Sequence, residues 1–228
     1  MRPSLASATI FSLAMSASAA VHAVSVGQID TFSGGVAGWF AGGGPFGQVP
    51  PVPPMVIDSG GPSGAGDSFL QITSNGSPGA GGRLVGMNAA QWAGNYAAAG
   101  VNAISMDLRN LGAVDLTVRL YFEDPIPGPP MNEAVTTQGV LVSAGGSWVH
   151  AVFPVAPGAL TVLQGSATTL LGHTTVMRIF HDVDPVFPPA RVAGALGIDN
   201  IAAIPEPSQL ALMLAALGLL AVVARRRA

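Results

Sequence analysis

The side chains that most often carry acid–base or metal chemistry are scattered along this 228-residue chain. Glu123 and Asp124 are adjacent, so an extended strand would direct them to opposite faces, and their spacing alone does not flank a glycosidic bond. His150, His173 and His181 are isolated and form no His-Glu-x-x-His pattern. The sequence contains no cysteine and no Gly-x-Ser-x-Gly segment. These features favour a protein without catalytic activity.

One glycine-rich segment has the spacing of a dinucleotide-binding loop. Residues 42–47 read Gly-Gly-Gly-Pro-Phe-Gly and match Gly-x-Gly-x-x-Gly. The residues that follow, 49–54, read Val-Pro-Pro-Val-Pro-Pro and cannot form the helix whose N-terminus would hold a pyrophosphate. The match therefore predicts no nucleotide site.

The charge of the chain limits its partners. Charged residues make up 9% of the sequence, against about 25% in typical soluble domains. Every basic residue is an arginine, and residues 24–203 carry eleven carboxylates against five arginines, a net charge of −6. Such a surface cannot neutralise a run of phosphates, so nucleic-acid binding is excluded. The lack of cysteine also excludes a disulfide scaffold.

The elements that would position these side chains are short β-strands separated by Gly, Pro, Asn and Ser. In residues 115–122, Leu116, Val118, Leu120 and Phe122 alternate with polar residues and share one face. The opposite face, with Arg119 and Tyr121, is expected to be wet. One short helix-like stretch interrupts the pattern at 89–96. The ten predicted strands are residues 26–32, 55–58, 68–73, 83–87, 103–108, 115–122, 137–142, 148–153, 175–180 and 195–201.

The number and spacing of these strands predict an all-β fold, a single jelly-roll-type antiparallel β-sandwich. We assign it to residues 24–203. Residues 1–23 have the pattern of a signal peptide, because Arg2 precedes an apolar stretch that ends in the small-x-Ala site at 21–23. The protein is therefore expected to be exported.

The C-terminus combines a proline motif, an apolar run and a basic cluster. Pro205, Glu206 and Pro207 precede the apolar residues 210–224, which would span about 22 Å as a helix. Arg225, Arg226 and Arg227 follow directly and would act as a stop-transfer signal that keeps the tail in the cytoplasm. An ordinary membrane anchor behind a proline-rich linker is the alternative interpretation.

This order of features in residues 204–228 resembles the PEP-CTERM sorting signal of Gram-negative bacteria. The resemblance implies recognition of the Pro-Glu-Pro motif by an exosortase, a membrane-embedded cysteine protease. The protein would be held transiently in the inner membrane through its C-terminal helix and then reach the cell surface or the medium. The resemblance also implies association with exopolysaccharide in an extracellular matrix.

The body resembles the galactose-binding-like jelly rolls that include carbohydrate-binding modules. The similarity rests on the first strand at 29–34, the Gly38-Trp39 pair, the block 88–110 and the closing strand 196–201. It implies a structural calcium ion held by Asp30 and Asp199. The alternative is that Asp30 faces solvent and Asp199 caps a strand bend.

Sugar binding would need flat aromatic faces with polar groups beside them. Tyr121 and Arg119 are the best-placed pair because they share a strand face, and Trp148 lies in a strand that could face either layer. We therefore predict Trp148, Tyr121 and Arg119 as ligand-binding residues. A calcium-dependent carbohydrate-binding module is the alternative to a matrix protein, and an envelope hydrolase is a less favoured third candidate.

Overall fold

The computed structural model describes residues 23–41, 54–125 and 128–205. These residues form thirteen β-strands and two short α-helices, α1 and α2. The strands are β1 Ile29–Asp30, β2 Phe40–Ala41, β3 Met55–Ile57, β4 Phe69–Asn75, β5 Val85–Asn88, β6 Val101–Asn110, β7 Leu116–Asp124, β8 Asn132–Thr136, β9 Val140–Val142, β10 Val149–Pro154, β11 Leu160–Gln164, β12 Val176–His181 and β13 Ala193–Pro205. Helix α1 is Tyr96–Ala99 and helix α2 is Ala167–Gly172.

The strands form two antiparallel sheets. The first sheet has the order β10-β6-β13-β4-β3, and β1 pairs with the C-terminal part of β13. The second sheet has the order β11-β8-β7-β12-β5-β2, and β9 pairs with the start of β7. The predicted all-β sandwich is confirmed.

The core lies between the two sheets and follows the alternation of the strands. Leu116, Val118, Leu120 and Phe122 of β7 are fully buried on the inner face, as the sequence pattern predicts. Alternate residues of the first sheet, among them Ile104 and Ile198, pack into the same cluster. A fully buried side chain of this size contributes about 1.5–3 kcal/mol to folding, so these two inner faces hold the sheets together.

All ten predicted strands overlap strands of the structure, and β2, β8 and β11 were not predicted. The predicted helix-like stretch at 89–96 is wrong in position, because α1 begins only at Tyr96. Asn95 caps α1 by accepting a hydrogen bond from the amide of Ala98. Strand β13 continues to Pro205, two residues beyond the predicted boundary of the sandwich at Ala203.

Several predicted features fall outside the described residues. These are the signal peptide apart from Ala23, the motif residues Glu206 and Pro207, the apolar run 210–224 and the arginines Arg225, Arg226 and Arg227. Within the residues that are described, no helix is long and apolar enough to cross a bilayer.

Candidate functional site

The outer face of the second sheet gathers aromatic, apolar and charged side chains from five strands. The strand register places Phe40, Met87, Arg178, Tyr121 and Val135 in one row across the sheet. These residues alternate with the core-facing ones, so they project away from the sandwich interior. At one end of the row Phe40 is 53% exposed, whereas the centre of the row is buried.

A buried ion pair lies at the centre of this face. Arg178 donates from Nη2 to Glu123 Oε1, and the two side chains form a salt bridge that is almost fully buried. The hydroxyl of Tyr121 donates to Glu123 Oε2 over 2.8 Å. The guanidinium of Arg178 also lies 5.7 Å from the centroid of the Tyr121 ring, within cation–π range. Arg178 thus supplies the opposite charge for the Glu123 carboxylate, and Tyr121 donates a hydrogen bond to it.

A second carboxylate lies beside the first. Glu133 of β8 is the register partner of Glu123 of β7, so both side chains project from the same face. Glu133 is half-buried, and burial followed by the negative charge of Glu123 raises its pKa. Burial and the neighbouring Glu123 also raise the pKa of Tyr121, which keeps its hydroxyl protonated as a donor. The face therefore presents a half-buried carboxyl group, Glu133, next to the Glu123–Arg178 ion pair.

Residues 182–192, here called the cover loop, cross this face. Phe187 of the loop stacks on Tyr121 with ring centroids 4.0 Å apart and meets Phe180 edge-on at 5.8 Å. As a result Tyr121 is only 1% exposed and Phe180 is fully buried, while Phe187 itself is half-buried. The expectation that the Arg119–Tyr121 face is wet is wrong, because the cover loop packs a second apolar layer on it.

Arg119 fastens the cover loop to the sheet. Its Nε donates to the carbonyl of Asp182 over 3.1 Å, and its Nη2 donates to the carbonyl of Val183. Its Nη1 donates to the carbonyls of Thr136 and Thr137. Burial lowers the pKa of Arg119, and the carboxylates of Asp182 and Asp184 oppose that shift. All three guanidinium nitrogens of Arg119 are thus engaged by main-chain carbonyls.

Trp148 lies on the opposite side of the sandwich from Tyr121 and Arg119. It packs edge-on against Phe69 at 5.2 Å and over Gly197, where a Cβ atom would approach the indole to 3.1 Å. Its Nε1 donates to the carbonyl of Gly60 over 3.0 Å. Trp148 therefore holds residues 58–68, the β3–β4 loop, against the outer face of the first sheet. The structure brings Tyr121 and Arg119 together and separates Trp148 from them.

Asp199 is buried on the same outer face as Trp148. It has no exposed surface, and among the described residues neither carboxylate oxygen accepts a hydrogen bond of normal geometry. Its register partner is Asp107 of β6, which itself contacts His150 Nδ1 and Asn200 Nδ2, each at 2.8 Å. Burial raises the pKa of Asp199 to about 6; the main-chain amide of Asn200 opposes this shift, and the charges of Asp67 and Asp107 add to it.

Asp30, the other predicted calcium ligand, has a different environment. Its Oδ2 accepts hydrogen bonds from the indole Nε1 atoms of both Trp39 and Trp92, each over 2.8 Å. The amide of Gln91 donates to both of its oxygens at 3.2–3.4 Å. Asp30 thus joins β1 to two buried tryptophans, and these donors converge on Oδ2, whereas Oδ1 has only the 3.4 Å contact with Gln91.

The described part of the chain contains no group of three or more His, Asp or Glu side chains that could hold a metal ion. A calcium site would have to be completed by main-chain carbonyls or water, the other oxygen ligands that calcium accepts. The two unpartnered oxygens of Asp199 suit a cation, whereas Oδ2 of Asp30 already accepts two indole hydrogen bonds and suits one less well. Calcium binding stays a prediction.

Four residues of the second-sheet face were not predicted: Glu123, Glu133, Arg178 and Phe187. A sequence signal existed for Arg178, because a lone charge within the apolar run 176–180 implies a buried partner. Glu123 follows Arg119 and Tyr121 at intervals of two and so shares their face. Phe187 carried no such signal, since its position depends on how the cover loop crosses the sheet.

Comparisons with known proteins agree with the predicted sorting signal and with the β-sandwich fold. Residues 203–227 match the PEP-CTERM protein-sorting motif, which implies a protein that is exported and processed by an exosortase. No curated protein matches the chain. A family 11 carbohydrate-binding module from Clostridium thermocellum, solved with a β-1,3-1,4-mixed-linked tetrasaccharide, is 15% identical with a TM-score of 0.51. The match covers 79% of this chain and 97% of the module.

An exo-β-agarase is also similar in structure. It is 11% identical with a TM-score of 0.55, and the match covers 80% of this chain but 25% of the enzyme. At these identities the two matches establish the fold, a carbohydrate-binding-module type of β-sandwich.

Proposed function

We propose that this protein is a non-catalytic component of the extracellular polysaccharide matrix, delivered to the cell surface or the medium by exosortase processing. The observation that carries the proposal is the sorting motif at 203–227, placed directly behind a sandwich of the carbohydrate-binding-module type. Cleavage near Pro205–Pro207 would remove the apolar run and the three arginines. The intact mass of the mature protein from an exosortase-positive host tests this step, and a mature protein that still ends in Arg227-Ala228 would contradict it.

The outer face of the second sheet is the proposed binding surface for carbohydrate. Phe187 is a half-buried ring stacked on Tyr121, Phe40 is exposed at the edge of the same face, and Glu133 supplies a half-buried acceptor. Rings with adjacent polar groups suit the apolar faces and hydroxyls of a sugar. The net charge of −6 between residues 24 and 203 disfavours a polyanionic polymer, so the preferred ligand is a neutral polysaccharide.

Binding of the processed protein to immobilised neutral glycans tests this surface. The mixed-linked β-1,3-1,4 tetrasaccharide seen with the clostridial module is a first probe. Phe187→Ala and Phe40→Ala should each weaken retention of the protein on the glycan about tenfold. This is the effect expected when the ligand loses contact with a ring that contributes about 1–2 kcal/mol. Met55→Ala is the matched control, since Met55 is 48% exposed on the first sheet. Equal losses in all three variants would contradict the assignment.

A calcium-dependent carbohydrate-binding module is the second candidate. The observation that favours it is the fully buried Asp199 carboxylate with two unpartnered oxygens. A cation there would satisfy this carboxylate and fix β13 against the β3–β4 loop. Sugar binding that disappears in EDTA and returns with millimolar calcium would support this candidate, and identical binding in both buffers would reject it.

A further inference from the structure

The sorting motif and the folded sandwich share residues. The motif match begins at Ala203, whereas β13 extends to Pro205. Ala203, Ile204 and Pro205 therefore belong to both, and Pro205 is the first proline of the Pro-Glu-Pro signal. No spacer separates the signal from the domain that it delivers.

These shared residues are held inside the first sheet. Ile204 and Pro205 pair with Ala103 and Val101 of β6. On the other side of the strand, the amide of Ala203 donates to the carbonyl of Gln28 over 3.0 Å. The side chain of Ala203 is buried in the core. Ala203 is thus bonded to the segment before β1, whereas Ile204 and Pro205 are paired with β6 alone, with an irregular register between them.

The end of β13 is also the less supported part of that strand. Residues 193–198 pair with β4 on one side and 196–199 with β6 on the other. Beyond the irregularity at Asn200, which has a φ of 51°, the strand is flanked by β6 and by β1, which has only two residues. The bulge allows the end of β13 to separate while the first half stays paired.

The apolar run lies close to the sorting motif in the sequence, which limits how far the motif can move from the folded sandwich. Leu210 follows Pro205 by five residues, which reach at most about 17 Å when fully extended. If residues 210–224 are held in the bilayer, as the sorting signal implies, a membrane-embedded protease must bind the motif while the sandwich lies against the bilayer surface. It cannot use a long tether to reach a segment far from the folded body.

We propose that the folded sandwich masks its own sorting signal, and that the end of β13, from Ala203, must leave the sheet before the exosortase can bind Pro205. This inference rests on the proposed processing near Pro205–Pro207. When opening is fast relative to cleavage, the rate of proteolysis follows the population of the open form. Processing should therefore report the local stability of this strand end.

A reversible cross-link tests the inference in the full-length precursor. Ala103 and Ile204 are register partners in adjacent antiparallel strands, a separation that suits a disulfide. The sequence has no cysteine of its own, so Ala103→Cys with Ile204→Cys would form a single bridge. The oxidised double variant should be processed at least tenfold more slowly than Ile204→Cys alone, and reduction should restore the rate.

An insertion provides the opposite perturbation. Six Gly/Ser residues between Ile204 and Pro205 keep the Pro-Glu-Pro sequence intact and separate it from the strand, so processing should become faster than in the wild type. The same six residues inserted between Gly145 and Gly146 are the matched control and should have no effect, because that turn contacts Arg109, at the opposite end of β6 from the partner of Pro205.

The outcomes separate the two proposals. Unchanged processing of the oxidised double variant would overturn the masking inference and leave the proposed function standing. A comparable acceleration by both insertions would also overturn it. A wild-type precursor that is not cleaved near the motif in an exosortase-positive host would overturn the proposed processing itself, and this inference with it.

Discussion

Asp199→Asn is the substitution whose effect the structure defines most sharply. It removes a negative charge from a fully buried position and leaves the shape of the side chain nearly unchanged. The carboxyl of Asp199 has a pKa of about 6 in the folded protein, against its ordinary value of 3.8. The folded state therefore holds this proton more tightly than the unfolded chain does. Ionising Asp199 costs stability as a result.

The sign and the pH range follow from that shift. The contribution of protonated Asp199 is fully present below about pH 4 and is lost as the pH rises to about 6, with no further change above. A shift of about two pKa units corresponds to about 3 kcal/mol of unfolding free energy. For a domain of this size that is a change in melting temperature of about 6–12 °C. Asp199→Asn should lack this decline and be more stable than the wild type at pH 7 by up to this amount.

Thermal melts of the processed protein between pH 4 and 8, in EDTA, measure the effect. Asp58→Asn is the matched control, because Asp58 is an exposed aspartate in the β3–β4 loop. The neighbouring carboxylates of Asp67 and Asp107 are unchanged in both variants. If the wild type and Asp199→Asn decline in parallel between pH 4 and 6, the unpartnered carboxylate is not the source of the pH dependence and the reasoning fails.

Three further predictions concern calcium, the cover loop and the tail. Millimolar calcium at pH 7 should raise the melting temperature of the wild type but not of Asp199→Asn. Identical wild-type melting temperatures in EDTA and in calcium would reject a cation at Asp199. Arg119→Met should cost about 3 kcal/mol in a urea melt, because buried carbonyls lose their donor, and limited proteolysis should then cut within 182–192 first. Each positive charge in the tail opposes its translocation. Replacing Arg225, Arg226 and Arg227 by neutral residues should therefore lower the yield of processed protein on an immunoblot. An unchanged yield would show that the arginines are dispensable.

Local pattern in the sequence determined the core-facing half of the strands. In β7 the alternation of residues 116–122 predicts which side chains are buried, because a strand has a period of two regardless of what packs on it. The sorting motif at 203–227 is likewise a continuous segment, and its order of features is readable without a fold. Both are properties of adjacent residues.

The tertiary structure decided what covers the other faces. Arg119 and Tyr121 alternate with the core and look solvent-facing in sequence, yet a loop more than 60 residues away lies on them. Such a contact depends on strand order and loop path, neither of which is encoded in the spacing around Tyr121. The same reason separates Trp148 from Tyr121 on opposite outer faces.

The two predicted calcium ligands show the same division. The sequence identified Asp30 and Asp199 as acidic residues on the first and last strands, and the structure places both strands side by side. Only the packing distinguishes them, since Asp30 receives two indole N–H groups and Asp199 receives none. Residue type and strand position are written in the sequence, but the donors around a buried carboxylate come from distant segments and exist only once the chain has folded.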